Sequence, residues 1–555
     1  MLGKRVRHIQ RYRDIVAALS RNGFEFIVKE LGLLDFLSLP KGFTGGSGEI
    51  YSKTLGERVR LFLEELGPTF VKMGQIASTR SDLISKEIIH ELEKLQDHVS
   101  PFSFTEVQLI IRQELKGTVD AIFAEFHEIP FAAASIGQVH FGVLKSGEQV
   151  AVKVQRPNIR NIVETDLEIL QELAILAEFR LKWASRYQVR DIVEEFSKSL
   201  RAELDYTIEG QNAERIAKQF AKDPKICIPG VYWDYSTPKV LTMEYVEGIK
   251  LQEVKNPDQK TYNSGVLAER LVRAFFQQIL VEGFFHADPH PGNILVKPEG
   301  VIVFMDFGMV GHLTPEMRTH FASLVIAMMR QSTEGVISAI TRMGLVPDDA
   351  NMRLLRSDVD QLREKYYNIP LSQISLGEAV KELFSVAYQH HIRIPADLTL
   401  LAKTLLTIEG TAEQLDPELS IIKIAEPFGR QLLKERYHPR KIAENVLNNL
   451  FEYGEILAEL PKRIQELNMV MQKGKMRLEI TVPELELLLA KLDRVGNRLS
   501  FSIVLLAFSI IMSGLIIGGS QSTFFWNIPA VEIGFGVVTL MFLWLLYAMF
   551  KSGRF

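Results

Sequence analysis

The chain has 555 residues, 47% hydrophobic and 24% charged, with 64 basic against 68 acidic side chains and a formal net charge of −4. That composition supports a large folded core spread over about three or four units of ~150 residues and excludes disorder as the default, while so small a net charge gives nucleic-acid binding no footing. The single cysteine, Cys227, excludes an intramolecular disulfide framework and a multi-cysteine zinc site, and it reads as a small buried hydrophobe rather than a reactive thiol.

The chain opens with Leu2, Val6, Ile9, Ile15, Val16 and Leu19 near helical spacing, with Lys4, Arg5, Arg7, Arg11 and Arg13 between them. No apolar core of a secretory signal follows, so the segment is predicted to be a basic amphipathic helix. It either lies on an anionic lipid surface or packs one face on the body of the protein. Residues 50–128 are predicted to be helical, with Gly67-Pro68 marking a turn. The texture then changes to two strands, Gln138 to Leu144 and Gln149 to Val154, joined by the turn Lys145 to Glu148. A helical stretch from Asn161 to about Ala221, a strand from Val240 to Val246 and a helix from Leu267 to Glu282 follow. Ile294 to Val296 and Val301 to Met305 form a second hairpin around Pro298-Glu299-Gly300. The remainder, to about residue 435, is predicted to be mainly helical.

Two uncharged runs, Leu499 to Gly519 and Ile533 to Phe550, approach the ~20 residues needed to cross a hydrocarbon core as helices. Lys491, Arg494 and Arg498 precede the first, Lys551 and Arg554 follow the second, and the connecting loop holds no Lys or Arg. The pair is therefore predicted to be a transmembrane hairpin, with both termini and the catalytic body on the cytoplasmic side of the inner membrane. Gly514 and Gly518 form a GxxxG that would allow a homodimer through the first span.

The chemistry-bearing residues fall in the middle. Phosphoryl transfer needs cations on the phosphates and a positioned acceptor more than covalent help from the protein. Lys153 ends the strand run Val150-Ala151-Val152-Lys153, where a kinase-type lysine reaches the nucleotide phosphates. Alone, such a lysine is more often an exposed strand residue. Asp288 and Asn293, in His286-Ala287-Asp288-Pro289-His290-Pro291-Gly292-Asn293, repeat the spacing of a kinase catalytic loop. Thirteen residues on, Asp306-Phe307-Gly308 follows a strand. Asp306 and Asn293 are oxygen donors suited to Mg2+. All three elements in this order point to ATP and Mg2+. His286 and His290 lack carboxylate or Cys partners at zinc spacing and read as loop packing.

These residues, with Lys72-Met73-Gly74-Gln75 as a KxGQ motif and the alanine-rich turn Ala132-Ala133-Ala134-Ser135, closely resemble the UbiB/AarF family of atypical kinase-like proteins, over about residues 10–430. The resemblance implies a link to isoprenoid quinone biosynthesis, with quinone precursors, quinone-biosynthesis enzymes and membrane lipid as partners. It implies that Ala132, Ala133, Ala134, Ser135, Ile136, Gly137, Gln138 and Val139 replace the glycine-rich loop over the nucleotide. Added methyl groups there limit backbone freedom. It also implies that Glu203 and Asp205 form the family's ExD motif, that Glu209 partners Lys153, and that Glu244 and Val246 border the nucleotide. Lys72 and Gln75 would belong to an extension lying over the active site and obstructing a protein substrate. The expected architecture is α+β: an atypical protein-kinase-like bilobal fold with a helical N-terminal extension (1–128), an N-lobe (129–248), a C-lobe (249–435), a helical linker (436–498) and the transmembrane hairpin (499–550). The expected function is ATP hydrolysis or phosphoryl transfer to a small or lipid-like acceptor. An ordinary protein kinase and a non-catalytic, nucleotide-gated scaffold are the alternatives.

Overall fold

The computed structural model describes residues 2–33 and 52–436, less 79, 81–83, 96–99, 255–261, 331, 344–345, 347–350, 368–374, 391 and 393, together with scattered helical residues between 503 and 543. The chain divides into two compact units, Met1–Glu444 and Asn445–Phe555. The first is a mixed α+β fold of kinase-like order.

Its first sheet is five-stranded and antiparallel. The strands β1 (Phe123–Phe126), β3 (Gly137–Leu144), β4 (Gln149–Gln155) and β6 (Val240–Glu244) lie in that order, and β2 (Ala132–Ala133) pairs with the start of β3. The sheet thus begins before residue 129, the expected start of the N-lobe. Gly147, at φ +102, makes the turn between β3 and β4 in a conformation that favours glycine. On β4, side chains alternate between faces. Val150, Val152 and Val154 are fully buried in a cluster with Val107, Ile111 and Phe123, which leaves Lys153 on the opposite face. That face meets a second cluster, in which Ile136, Leu167, Leu200, Leu204 and Tyr206 are buried.

A second sheet has the order β5-β10-β9-β7, formed by Ile226–Cys227, Ile302–Phe304, Ile294–Val296 and Ile249–Lys250 respectively. β8 (Phe284–His286) pairs antiparallel with β11 (Val310–His312). These short strands pack on the helices Ser264–Phe276 and Ala396–Leu415 in the largest core, where Leu271, Phe275, Phe304, Phe307 and Leu401 are at most 1% exposed. Loops between these strands carry Asp288, Asn293 and Asp306, so a dry core immobilises the backbone on either side of them.

The basic N-terminal helix, Leu2–Arg21, packs on the body: Tyr12, Ile15, Val16 and Ala18 are buried with Val28, Phe70 and Ile169. Its polar anchor is Arg11. The guanidinium donates to both carboxylate oxygens of the fully buried Asp166 at 2.6 and 3.0 Å, and to the Leu66 carbonyl at 2.6 Å.

The membrane expectation is overturned. No helix among the described residues is long and apolar enough to cross a membrane, so a multi-pass protein of the inner membrane is not supported. Crossing needs ~20 nearly uncharged residues in one helix. The three described helices of 20 or more residues, Leu2–Arg21, Ile159–Arg180 and Ala396–Leu415, carry charges along their length. Most of the expected hairpin at 499–550, Gly518 of its GxxxG included, lies outside the described residues.

Candidate active site

The site is built around Lys153. The register Val139↔Lys153↔Leu241 places it in the middle of the first sheet, facing the helix Tyr206–Gln219. That helix buries Tyr206, Glu209, Gly210, Ala213 and Ile216, a stripe of helical period that puts Glu209 towards the sheet. The Lys153 ammonium donates to both oxygens of Glu209 at 2.9 and 2.8 Å, and it lies 5.1 Å from the Tyr206 ring centroid. Burial works against the charged lysine, yet Glu209 and Asp306 outweigh it and hold Lys153 above the ordinary lysine range. Burial also presses the Glu209 carboxyl upward, but an ammonium at 2.8 Å keeps the pair charged.

Asp306 follows β10 in a left-handed conformation, φ +55, which Asp tolerates better than most residues. Its Oδ1 accepts from the Gly308 N–H at 3.2 Å. Lys153 draws its carboxyl below the usual range against the effect of burial, and Lys72 adds to the pull. The residue as a whole stays open to solvent, so water screens part of this field. Phe307 is fully buried, and its carbonyl accepts from Asn212 on the Glu209 helix at 3.1 Å.

Asp288 is held at both oxygens. Asn293 Nδ2 donates to its Oδ2 at 3.3 Å and to its carbonyl at 3.2 Å. Lys403 Nζ donates to its Oδ1 at 3.1 Å. The two histidines of this loop pack rather than converge on a metal. His286 accepts the Asp288 N–H at Nδ1 and meets the Met305 carbonyl through Nε2, while His290 accepts the Gly292 N–H. Among the described residues no cluster of three or more His, Cys, Asp or Glu forms a metal cage. Mg2+ does not require one, since it keeps several waters and is bound through one or two carboxylates plus substrate phosphates.

Lys72 lies on the helix Pro68–Ser78 and forms an ion pair with Glu203 at 2.5 Å. Gln75 donates to the Leu95 carbonyl at 3.2 Å and so fastens this helix. Glu203 ends the helix Val189–Glu203, whereas Glu209 lies in the first turn of the next helix. The two glutamates therefore engage different lysines. Asp205 caps that next helix, its Oδ1 accepting from Thr207 N at 3.0 Å and Thr207 Oγ1 at 2.6 Å.

The alanine-rich segment is partly strand: Ala132 pairs with Val139 and Ala133 with Gln138, and the Ala134 N–H donates to the Gly137 carbonyl at 2.8 Å. Gly137 has no room for a side chain, because a Cβ would sit 2.3 Å from Tyr206 Oη. Ile136 is buried, and Ser135 Oγ is buried without a hydrogen-bond partner. The Gln138 side chain turns away into the body, where Oε1 accepts from Phe102 N at 2.9 Å. Glu244 ends β6, with Oε2 accepting from Gly230 N at 3.3 Å, and Val246 is buried just beyond it.

Sequence reasoning missed Lys403. It lies 115 residues from Asp288 and belongs to no motif. A signal was present: from Leu398 to Ile408 it is the lone charge in a run of Leu, Thr, Ala and Ile.

The chain matches the ABC1 atypical kinase-like domain over residues 94–340, the UbiB helical domain over 359–420 and the ABC1/UbiB kinase-like C-terminal domain over 483–551. It is similar to the uncharacterized protein sll0095 of Synechocystis sp., 32% identical across 88% of this chain and 86% of that one. An uncharacterized protein encoded in the hydrogenase 1 5' region of Clostridium pasteurianum is 31% identical across 98% and 99%. Among solved structures, the complex of Rv3197 with erythromycin from Mycobacterium tuberculosis is 24% identical, covers 66% of this chain and 93% of its own, and superposes with a TM-score of 0.47.

Proposed function

The chain belongs to the UbiB/AarF family of ABC1 atypical kinase-like proteins, and on that premise we propose that it binds ATP with Mg2+ and either hydrolyses it or passes its terminal phosphoryl group to a small or lipid-like acceptor. The carrying observation is the buried Lys153–Glu209 pair, whose field reaches Asp306 beyond the Asp288–Asn293 loop. Together they provide one fixed cation and three oxygen donors of the types that nucleotide phosphates and a hard metal require.

The residues fit these groups. Asp306 and Asn293 would hold Mg2+, which when bound neutralises charge on the phosphates. Lys153, fixed by Glu209, presents its ammonium towards the phosphates without having to be ordered first. The unpartnered Ser135 Oγ offers a further hydrogen bond from the alanine-rich segment. Asp288 would accept the proton of an attacking hydroxyl or water.

Two observations favour a small or apolar acceptor over a protein. The Lys72–Glu203 pair ties the N-terminal helical region to the machinery, where a polypeptide substrate would need space. A cavity of about 160 Å³ is lined by Met73, Phe196, Met309 and Leu400. Met73 adjoins Lys72, Met309 follows Asp306 by three residues, and Leu400 lies one helical turn before Lys403. The family's association with quinone biosynthesis makes an isoprenoid quinone precursor the candidate of this chemistry.

Thermal-shift titration of the full chain with Mg-ATP tests the reading. The parent is expected to be stabilised by nucleotide in a metal-dependent way. Asp306→Asn, which removes one charged oxygen ligand, should still fold, with a ligand-free melting temperature lowered only by the lost attraction to Lys153, and should lose the Mg2+-dependent part of the shift. An undiminished shift in the variant would remove Asp306 from the site, and no shift in the parent would remove ATP.

A further inference from the structure

The catalytic loop from Asp288 to Asn293 contains no lysine or arginine. The charge that develops on a phosphoryl group in transfer nevertheless needs a cation beside the proton acceptor. The two other site lysines pair with glutamates and not with Asp288: Lys153 with Glu209, from where it is assigned to the nucleotide phosphates, and Lys72 with Glu203. The cation that meets Asp288 comes from the UbiB helical region instead. Lys403 Nζ lies 3.1 Å from Asp288 Oδ1, with the lysine and aspartate side chains 33% and 36% exposed, so both are reachable by substrate. Beside Lys403, Thr404 Oγ1, fully buried, donates to the Ala287 carbonyl at 3.3 Å. A third tie runs from the same helix to the strand after Asp306, where Asp397 Oδ1 accepts the His312 N–H at 3.1 Å. The helix Ala396–Leu415 thus meets the backbone beside Asp288 and the strand that follows Asp306, and its one basic residue stands at the carboxylate.

We propose that Lys403 is a catalytic residue that bridges Asp288 and the terminal phosphoryl group of ATP, supplying from the helical domain the cation that the catalytic loop lacks. This rests on the proposed ATP chemistry. In the transfer step the acceptor oxygen bonds to the γ-phosphorus and the bond from that phosphorus to the β–γ bridging oxygen breaks. ADP leaves, and the acceptor's proton goes to Asp288. Lys403 stays protonated throughout. With Oδ2 held by Asn293 and Oδ1 by Lys403, the Asp288 carboxylate is oriented while each oxygen keeps a lone pair free to take the proton.

The prediction is a discrimination between nucleotides, because ADP lacks the group that Lys403 would touch. Mg-ATP and Mg-ADP affinities are measured by thermal shift, alongside hydrolysis, for the parent chain and for Lys403→Ala, Lys403→Arg and Thr404→Val. Lys403→Ala should bind Mg-ADP as the parent does, bind Mg-ATP about tenfold more weakly, and lose about a hundredfold in kcat, the scale of removing one transition-state donor. Lys403→Arg should recover most of both effects, and ethylammonium should partly rescue the alanine variant. Thr404→Val breaks the adjacent tie and leaves the charge, so it should keep the parent's ATP-to-ADP ratio. The inference fails if Lys403→Ala retains the parent's ratio and kcat, or if Thr404→Val reproduces its losses, since the lysine would then be a strut. A parent chain that binds ADP and ATP equally also overturns it. A parent that binds neither overturns the proposed ATP chemistry, and this inference with it.

Discussion

His140 is a fully buried imidazole wedged among aromatic rings, with Phe126 stacked on it at 5.2 Å and Phe104 at 6.3 Å. Its Nδ1 meets the His127 carbonyl at 2.8 Å and its Nε2 meets Gln138 Nε2 at 2.9 Å. That pattern suits a neutral ring that donates at Nδ1 and accepts at Nε2. Burial holds its pKa below the ordinary 6.5, against the pull of the His127 carbonyl. The sign follows from linkage: as pH falls through ~6.5 the unfolded chain takes up a proton that the folded chain refuses, so stability declines towards acid. Urea midpoints at pH 7.5 and 5.5 should therefore separate more for the parent than for His140→Asn, whatever the variant's absolute stability. Parallel profiles would mean that this ring does not govern the acid response. The same residues show why part of the site was legible. Lys153, Asp288, Asn293 and Asp306 announce themselves because each chemistry sits within a few residues of a strand end. Gln138 was expected to border the nucleotide, yet its side chain is spent on Phe102 and His140, a long-range use that local spacing does not encode.

At the scale of elements, the decisive feature is where one helix stops and the next begins. From Asn161 to Glu209 the sequence contains neither glycine nor proline, and helical periodicity alone reads straight through. The structure divides the stretch at Leu181, at Gln188 with φ +47, and at Asp205. Only the last break had a readable cause, an Asp followed by Thr207 at capping distance. It is also the one that places Glu203 and Glu209 on separate helices. Asp205→Ala should cost about 1 kcal/mol of stability, the ordinary worth of an N-cap. It should also weaken nucleotide binding, because Glu209 lies in the first turn that the cap holds. Asp205→Asn retains a capping oxygen and should keep both properties. If Asp205→Asn preserved stability but abolished nucleotide binding, the carboxylate charge itself would serve the ligand and the capping account would be insufficient.

At the scale of the whole first unit, contacts far apart in sequence join the N-terminal helix to the helix Ile159–Arg180 and to the end of the helix that precedes Lys72. Arg11 reaches Asp166 across 155 residues and Leu66 across 55. Leu66 immediately precedes Gly67 and the helix Pro68–Ser78 that carries Lys72. Neither link could be read from sequence, since Arg11 is one of several basic residues in its helix and Asp166 one of several acids in another. Asp166 is fully buried and Arg11 largely so, with side-chain exposures of 0% and 23%. Removing the arginine leaves a carboxylate in the core and a carbonyl without its donor, a change that typically destabilises by about 3–5 kcal/mol. Arg11→Met should lower the unfolding midpoint accordingly. Hydrogen exchange should rise first in residues 8–33 and 55–78, with the core around Phe275 and Phe304 still protected. Because Lys72 rides on the loosened helix, its pair with Glu203 should weaken and Mg-nucleotide affinity should shift. The double variant Arg11→Met with Asp166→Leu removes both charges together and should regain much of the lost stability, since the greater part of the penalty is the stranded carboxylate. A parental midpoint for Arg11→Met would show that the N-terminal helix is held by its apolar face alone, through Tyr12, Ile15 and Val16.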